Sequence, residues 1–384
     1  MSTVTAPAFL PFARPALDEA TIRGVADVLE SGWITSGPKV AEFEAELSKL
    51  FAARPVRAFA NGTATMETAL RVAGIGSGDE VITTSITWVA TANVIVAVGA
   101  TPVFADIDPT TRNIDLQAVE DAITPRTRAL MPVYLAGLPV DMDRLYAIAR
   151  RHGLRVIEDA AQAIGSRWNE KLIGSFGDLV SFSFQANKNI TCAEGGCLVL
   201  SSHFEARRAE QLRLQGVVRS GLDGMDVVMP GGKSNLTDIN AAIGLGQLRR
   251  LGEVTRRRAE LAKAYFEVAR QMQLEDLGIV LPPPTRGQGA ITNWHMFQVM
   301  LPANAQRAAV MQLMRDAGVG TGVHYPALHL FSYYRSLGWR EGMLPQAERA
   351  GRSLLTLPLF PAMSTGDVER ACAALAAACR QVAR

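Results

Sequence analysis

Residues 81–105 contain no charged side chain, and this stretch limits the folds open to the chain. It is long enough to cross a bilayer, which takes about 20 apolar residues. However, five threonines, Ser85, Asn93, Gly99 and Pro102 interrupt it. It reads better as a buried strand over 80–83, a helix over 90–98 and a second strand over 102–105. The alternation continues, with strands expected at 129–133, 154–157, 179–182 and 197–200. A helix over 143–152 is closed by Gly153 as its C-cap. Uncharged strands separated by helices predict an α/β fold with a mostly parallel sheet covered on both faces.

The texture changes after about residue 240. Residues 241–266 read as one long helix with Arg256, Arg257 and Arg258 on its polar side. A proline- and glycine-rich connector follows at 281–289, then a strand over 296–301 and helices over 306–317 and 366–382. The expected division is a large α/β domain over 1–250 and a smaller C-terminal α+β domain over 251–384.

Composition excludes several function classes. With 384 residues, 48% hydrophobic, 20% charged and a net charge of +2, the chain is an ordinary globular protein without a basic face for nucleic acid. Cys192, Cys197, Cys372 and Cys379 have no C-x-x-C spacing. On one helix the last two would lie about 10 Å apart, too far for a disulfide. A reducing, cytoplasmic location follows as the expectation. No leader pattern is expected either, because the first basic residue is Arg14 and Pro7, Pro11 and Pro15 break the apolar stretch around it. Five scattered histidines predict no metal site.

Lys188 is the most informative single residue. The chain has only six lysines, and this one is the sole charged side chain between residues 179 and 193. Apolar surroundings disfavour the ammonium form, as Schiff-base chemistry requires, although a lysine snorkelling out of a strand end has the same pattern. Asp159 ends the run Leu154-Arg-Val-Ile-Glu-Asp159, and a helix is expected to start at Ala160-Ala-Gln162-Ala. An acid at the carboxyl end of a parallel strand points into the crevice where α/β ligands bind, and it can also be a plain N-cap. An aspartate and a lysine together are the recurring protein groups around pyridoxal phosphate. Phe59-Ala-Asn-Gly-Thr-Ala-Thr65 places a glycine and hydroxyls at a helix start, which suits an anion. Ser183 offers another hydroxyl, and Trp88 could stack on a flat ring or fill a core.

With these residues in place, the chain resembles the DegT/StrS-type nucleotide-sugar aminotransferases, which have the aspartate-aminotransferase fold (fold type I). The resemblance rests on Asn61-Gly-Thr-Ala64, Gly76-Ser-Gly-Asp-Glu-Val-Ile82, Ile157-Glu-Asp-Ala-Ala-Gln-Ala163, Phe182-Ser-Phe184, Lys188 and Glu194-Gly-Gly196. It implies a pyridoxal 5'-phosphate cofactor carried on Lys188, with Asp159 on the ring nitrogen, Gln162 near the phenolic oxygen and Trp88 stacked on the ring. Thr63, Ala64 and Ser183 would hold the phosphate, joined by Asn235 from the second subunit of a homodimer. His324 and Tyr325 would lie toward the sugar nucleotide.

Phe9-Leu-Pro-Phe12, Leu29-Glu-Ser-Gly-Trp-Ile-Thr35 and Asn235-Leu-Thr-Asp-Ile-Asn-Ala-Ala242 resemble the UDP-4-amino-4-deoxy-L-arabinose–oxoglutarate aminotransferase subgroup of lipid A modification. That implies L-glutamate and a UDP-linked 4-keto pentose as substrates. The chain departs from the subgroup at Gln162, where a histidine is usual, at Ser234, where an aromatic is expected, and in a shorter stretch between Gly216 and Gly231.

Overall fold

The computed structural model describes residues 8–283 and 289–382, so part of the expected connector, at 284–288, lies outside the described residues. Seven strands form the central sheet: β1 (Val56–Phe59), β2 (Glu80–Thr84), β3 (Thr101–Ala105), β4 (Thr127–Met131), β5 (Arg155–Asp159), β6 (Leu179–Ser183) and β7 (Gly196–Val199). Their spatial order is β1-β7-β6-β5-β4-β2-β3, and β7 alone runs against its neighbours. Every residue of β2 and of β6 is buried, which explains the absence of charge there. Glu80 is the exception that shows the rule: the Thr124 hydroxyl and Arg126 Nε both donate to its carboxylate.

Helices cover both faces. α1 (Gly62–Val72) follows β1, α2 (Ala90–Ala97) joins β2 to β3, and α3 (Met142–His152) precedes β5. The uncharged stretch is thus strand, helix and strand, and no described helix is long and apolar enough to cross a membrane. α3 ends as its sequence predicts: Gly153 takes φ 65°, where a side chain would be strained, and Arg150, Arg151 and His152 face the carbonyl end of the dipole. Phe51 stacks on Phe182 at 4.9 Å under one face, while Met66, Leu70 and Leu198 pack under the other. Each such side chain contributes about 1.5–3 kcal/mol by leaving water.

Two expectations about helices fail. The long helix over 241–266 is two helices, α4 (Asp238–Arg249) and α5 (Leu251–Gln271), broken at Arg250. Gln247 Nε2 and Arg250 Nη1 both donate to the carbonyl of Ala16, at 2.9 and 3.2 Å, and hold the break. α4 packs on the helices Glu19–Ser31 and Pro38–Leu50, whereas α5 packs on the C-terminal helix α6 (Thr365–Val382), so the two serve different cores. The arginine triplet does not share a solvated face either. Arg256 and Arg257 pair with Glu260, but Arg258 is buried and donates to the carbonyls of Trp294, His295 and Leu359.

The second failure is the helix expected from Ala160, which does not form. Ala160 N–H donates to Ser181 and extends the strand, and Asn293 Nδ2 donates to the carbonyls of Gln162 and Ile164 at 2.9 and 2.7 Å. Those carbonyls are therefore not free for a helical ladder. Beyond α5, strands β8 (Phe297–Met300) and β9 (Leu354–Leu357) pair antiparallel against α5 and α6, with Tyr265 stacked on Phe297 at 4.5 Å. Leu10 packs into this second core, its N–H donating to Gly318 and its carbonyl accepting from Gly320.

Candidate active site

The parallel strands end at one edge of the sheet, and a cleft of about 460 Å³ opens there. It is lined from the ends of β1, β2, β5 and β6, by the loop after β6 and by the segment around His324. Thr63, Trp88, Asp159, Gln162, Ser183, Lys188, His324 and Tyr325 all reach it, from eight places spread over more than 260 positions of sequence.

Lys188 sits in the loop between β6 and β7. That loop is braced by Phe184 N–H on Gly195, Cys192 N–H on Phe184, and Asn189 Nδ2 on the carbonyl of Asn293. Burial pulls the Lys188 amine down to about 8, although the charges of Asp159 and Glu194 work the other way. About a tenth of the amine is therefore neutral at pH 7, against well under a thousandth for an ordinary lysine, as a carbonyl-capturing lysine needs.

Asp159 is the last residue of β5 and is almost wholly buried. Burial raises its carboxyl above the usual value, while the Thr91 hydroxyl, the Ala161 N–H and the Lys188 charge favour ionisation. Thr91 donates to Oδ2 at 2.7 Å and stands 2.8 Å from the Thr87 hydroxyl. Neither threonine stood out in the sequence. Thr91 lies in the first turn of α2 and Thr87 in the bend before it, and no pattern in the sequence marks either as a partner of the acid.

Gln162 is fixed at both ends of its amide. Oε1 accepts from Ala136 N–H at 2.7 Å and Nε2 donates to the Tyr325 hydroxyl at 2.9 Å. His324 stacks on Phe12 at 5.2 Å, and its Nδ1 lies 2.9 Å from Thr356 Oγ1. Burial and the nearby Lys188 charge pull its imidazole down to about 4, so it is neutral at physiological pH. Trp88 is 60% exposed at the mouth of the cleft, with its ring 6.1 Å from that of Tyr325.

The start of α1 brings Gly62 against Ser183, and Thr63 and Ser183 both line the cleft. Gly62 is essential to that approach, because a Cβ there would meet Ser183 Cβ at 2.9 Å. Ala64 stands differently from Thr63. It does not line the cleft, and its N–H donates to Asn61 Oδ1 at 2.8 Å as the helix cap. Asn235 also lies outside the cleft of its own chain; its Nδ2 donates to Ser36 Oγ and its backbone bridges to Phe59.

The groups present suit a pyridoxal phosphate. There is an amine shifted toward neutrality for its aldehyde, a buried acid for its ring nitrogen, an indole for its ring face, and a helix start with hydroxyls and no room for a Cβ at Gly62 for its phosphate.

Comparison with known proteins points the same way. The family model described as "DegT/DnrJ/EryC1/StrS aminotransferase family" matches residues 15–376. Spr1654 of Streptococcus pneumoniae in its PLP form is 32% identical, with 97% of this chain and 99% of that chain covered and a TM-score of 0.90. The aminotransferase TlmJ of Streptoalloteichus hindustanus is 34% identical over 98% of this chain and 100% of its own, with a TM-score of 0.90. The sugar aminotransferase CalS13 of Micromonospora echinospora is 28% identical over 96% and 99%, with a TM-score of 0.86.

Proposed function

The chain belongs to the DegT/DnrJ/EryC1/StrS aminotransferase family, whose members are transaminases working with pyridoxal phosphate, and from that premise we propose that it moves the amino group of L-glutamate to C4 of a UDP-linked keto sugar. The sugar is UDP-4-keto-arabinose and the product UDP-4-amino-4-deoxy-L-arabinose, the precursor used in lipid A modification. The observation that carries the reading is the pairing of a lysine shifted toward neutrality with a buried aspartate in one cleft, which His324 and Tyr325 also line.

When bound, the cofactor supplies an electron sink that lets a proton leave the amino-bearing carbon. Lys188, neutral in an appreciable fraction, would hold it covalently and, with its amine free, would take that proton and return it. Asp159, whose ionised form the Thr91 hydroxyl and Ala161 N–H favour against its burial, would hold a proton on the ring nitrogen. Gln162 stands beside the phenolic oxygen with its amide already oriented by Ala136 and Tyr325. Trp88 would cover the ring face, and Thr63, Ala64 and Ser183 would take the phosphate, with Asn235 of the partner subunit completing the cradle in a homodimer. Ala64 can serve only by exchanging its bond to Asn61 for one to phosphate. After 2-oxoglutarate leaves, Lys188 works in the reverse sense and delivers the proton to C4 of the sugar.

We divide the chain near residue 250, where α4 gives way to α5, into a cofactor-binding domain and a small domain. A cytoplasmic site of action suits a nucleotide-activated substrate and four buried cysteines without disulfides.

A second reading, amination of another nucleotide keto sugar such as a 4-keto-6-deoxyhexose or a 3-keto hexose, is favoured by Gln162. An amide tied to Tyr325 replaces the imidazole usual in the subgroup that acts on the pentose. The test is turnover with L-glutamate and each of three acceptors: a UDP-4-keto pentose, a dTDP-4-keto-6-deoxyhexose and a dTDP-3-keto hexose. Amine formed from the pentose at the highest kcat/KM supports the first reading. A hexose preference replaces it with the second.

A further inference from the structure

Glu158 and Asp159 are neighbours on β5, so their side chains leave opposite faces of the sheet. Asp159 faces the cleft. Glu158 points away from it into the core, fully buried, and nothing in the proposed chemistry uses it.

Its carboxylate is tied to two phenols. Tyr134 OH donates to Oε2 at 2.7 Å and Tyr146 OH donates to Oε1 at 2.5 Å. The fold makes room for this group: at Gly177, which takes φ 93°, a Cβ would meet Glu158 Oε1 at 2.1 Å. The Arg54 guanidinium, donating to the carbonyls of Gly174 and Phe176, brings a positive charge near the pair, and Asp178 opposes it. A buried acid this well surrounded is costly to keep for packing alone.

What Tyr134 does with its backbone supplies the reason. Its N–H donates to the Asp159 carbonyl at 3.2 Å, and Asp159 N–H donates to Pro132 at 2.9 Å, so the residues around Tyr134 hold Asp159 on both sides of its peptide. Two residues on, Ala136 N–H donates to Gln162 Oε1, from a backbone at φ 57° that is strained for alanine. Gly137 N–H closes that turn on the Tyr134 carbonyl. One short segment therefore fixes both cleft groups, and its phenol is anchored to Glu158.

We propose that Glu158 is a positioning residue: by gripping Tyr134 from the far side of the sheet, it sets the placement of Asp159 and Gln162 at the cofactor ring. The inference rests on the reading of Asp159 and Gln162 as the residues at that ring. It links a buried acid, a phenol and a strained turn into one device.

The test compares wild type, Tyr134→Phe and Glu158→Gln, each reconstituted with pyridoxal phosphate. The readouts are the pH midpoint of the bound cofactor's visible colour change, the cofactor dissociation constant, and the thermal unfolding of the cofactor-free protein. Y134F removes one hydroxyl and leaves the ring. It is expected to shift the colour midpoint by roughly half a pH unit or more and to weaken cofactor binding by about 3- to 10-fold. E158Q keeps an acceptor for the Tyr134 hydroxyl and deprives only Tyr146 of one, and the Tyr146 hydroxyl bonds no cleft group, so both values should stay close to wild type.

Y134F matching wild type in midpoint and affinity would overturn the proposal, even if its unfolding temperature falls, because the network would then be structural only. E158Q behaving like Y134F also overturns it, replacing a geometric grip by a charge effect. Wild type that takes up no colour is a different failure: it sinks the reading of Lys188 and Asp159 themselves, and the positioning role with it.

Discussion

The Thr91 hydroxyl donates to Asp159 Oδ2 at 2.7 Å, so the buried acid of the cleft is partnered by a neutral side chain on the helix that follows β2. That bond favours the ionised carboxylate against the cost of its burial. Replacing Thr91→Val keeps the shape and deletes the donor. The acid then becomes harder to ionise and holds a ring-nitrogen proton less well. We expect kcat to fall by about tenfold with KM changed little. Steady-state kinetics settle it; an unchanged kcat would remove Thr91 from the site's design.

A lysine held near 8 has a pH consequence of definite sign. Its neutral form, the one that attacks an aldehyde, grows as pH rises through about 8 instead of through the ordinary lysine range. The rate of pyridoxal phosphate capture by cofactor-free protein should therefore rise between pH 7 and 9 and level off above. Stopped-flow absorbance follows it directly. Lys188→Ala should show no protein-bound colour after dialysis, and a variant that retains wild-type colour sinks the lysine assignment.

Close packing at the start of α1 gives a third expectation. In Gly62→Ala the new methyl group meets Ser183 Cβ at 2.9 Å, so either α1 or the end of β6 must move. Overpacking of this kind costs roughly 1–3 kcal/mol. Since the displaced elements carry Thr63 and Ser183, cofactor affinity should fall along with stability. Calorimetric titration with pyridoxal phosphate beside a denaturant melt separates the two; lost stability with unchanged affinity would place the phosphate elsewhere.

Much of this was legible in the chain, for reasons that differ by residue. β2 and β6 show themselves because a strand buried on both faces carries few charges, and Lys188 shows itself as the one charged side chain from residue 179 to 193. Asp159 is legible from its place at a strand end. What stayed hidden depends on partners distant in sequence. The missing helix after Asp159 is decided by Asn293, the break at Arg250 by the carbonyl of Ala16, and the burial of Arg258 by three carbonyls from two later segments. Thr91 belongs with these, since a threonine on a helix carries no mark of the acid it will meet. Local pattern records exposure and turn chemistry, whereas such contacts are fixed only when the sheet closes.

Asn293 yields a prediction of its own. Both its Nδ2 bonds go to carbonyls of the turn after Asp159, and its Oδ1 accepts from His295 N–H. All are buried, so Asn293→Ala leaves two carbonyls and an N–H without these partners, at a cost of about 2–4 kcal/mol. Unfolding in urea should register that loss. The turn carries Gln162, so kcat should fall more than the lost stability alone would cause at a temperature where the variant is fully folded. Full activity in a destabilised variant would show that Gln162 needs no such support.

The last expectation separates what Asp159 does for the reaction from what it does for the fold. Burial raises its carboxyl pKa above the unfolded value, so the folded state binds a proton more readily than the unfolded chain. The sign follows: its contribution to stability is greatest below the ordinary aspartate pKa and declines as pH rises through the raised folded value. At neutral pH an ionised carboxylate is then a burden on the cofactor-free protein. Asp159→Asn removes that charge while keeping an acceptor for Thr91. The cofactor-free variant should melt near wild type at about pH 3.5, below the ordinary aspartate value, and at an equal or higher temperature at pH 8, while transamination falls by a factor of about a thousand or more. Thermal melts at the two pH values and a single-turnover assay with glutamate check both halves. A variant that melts well below wild type at pH 8 would show that the charge of Asp159, through Lys188, stabilises the empty cleft after all.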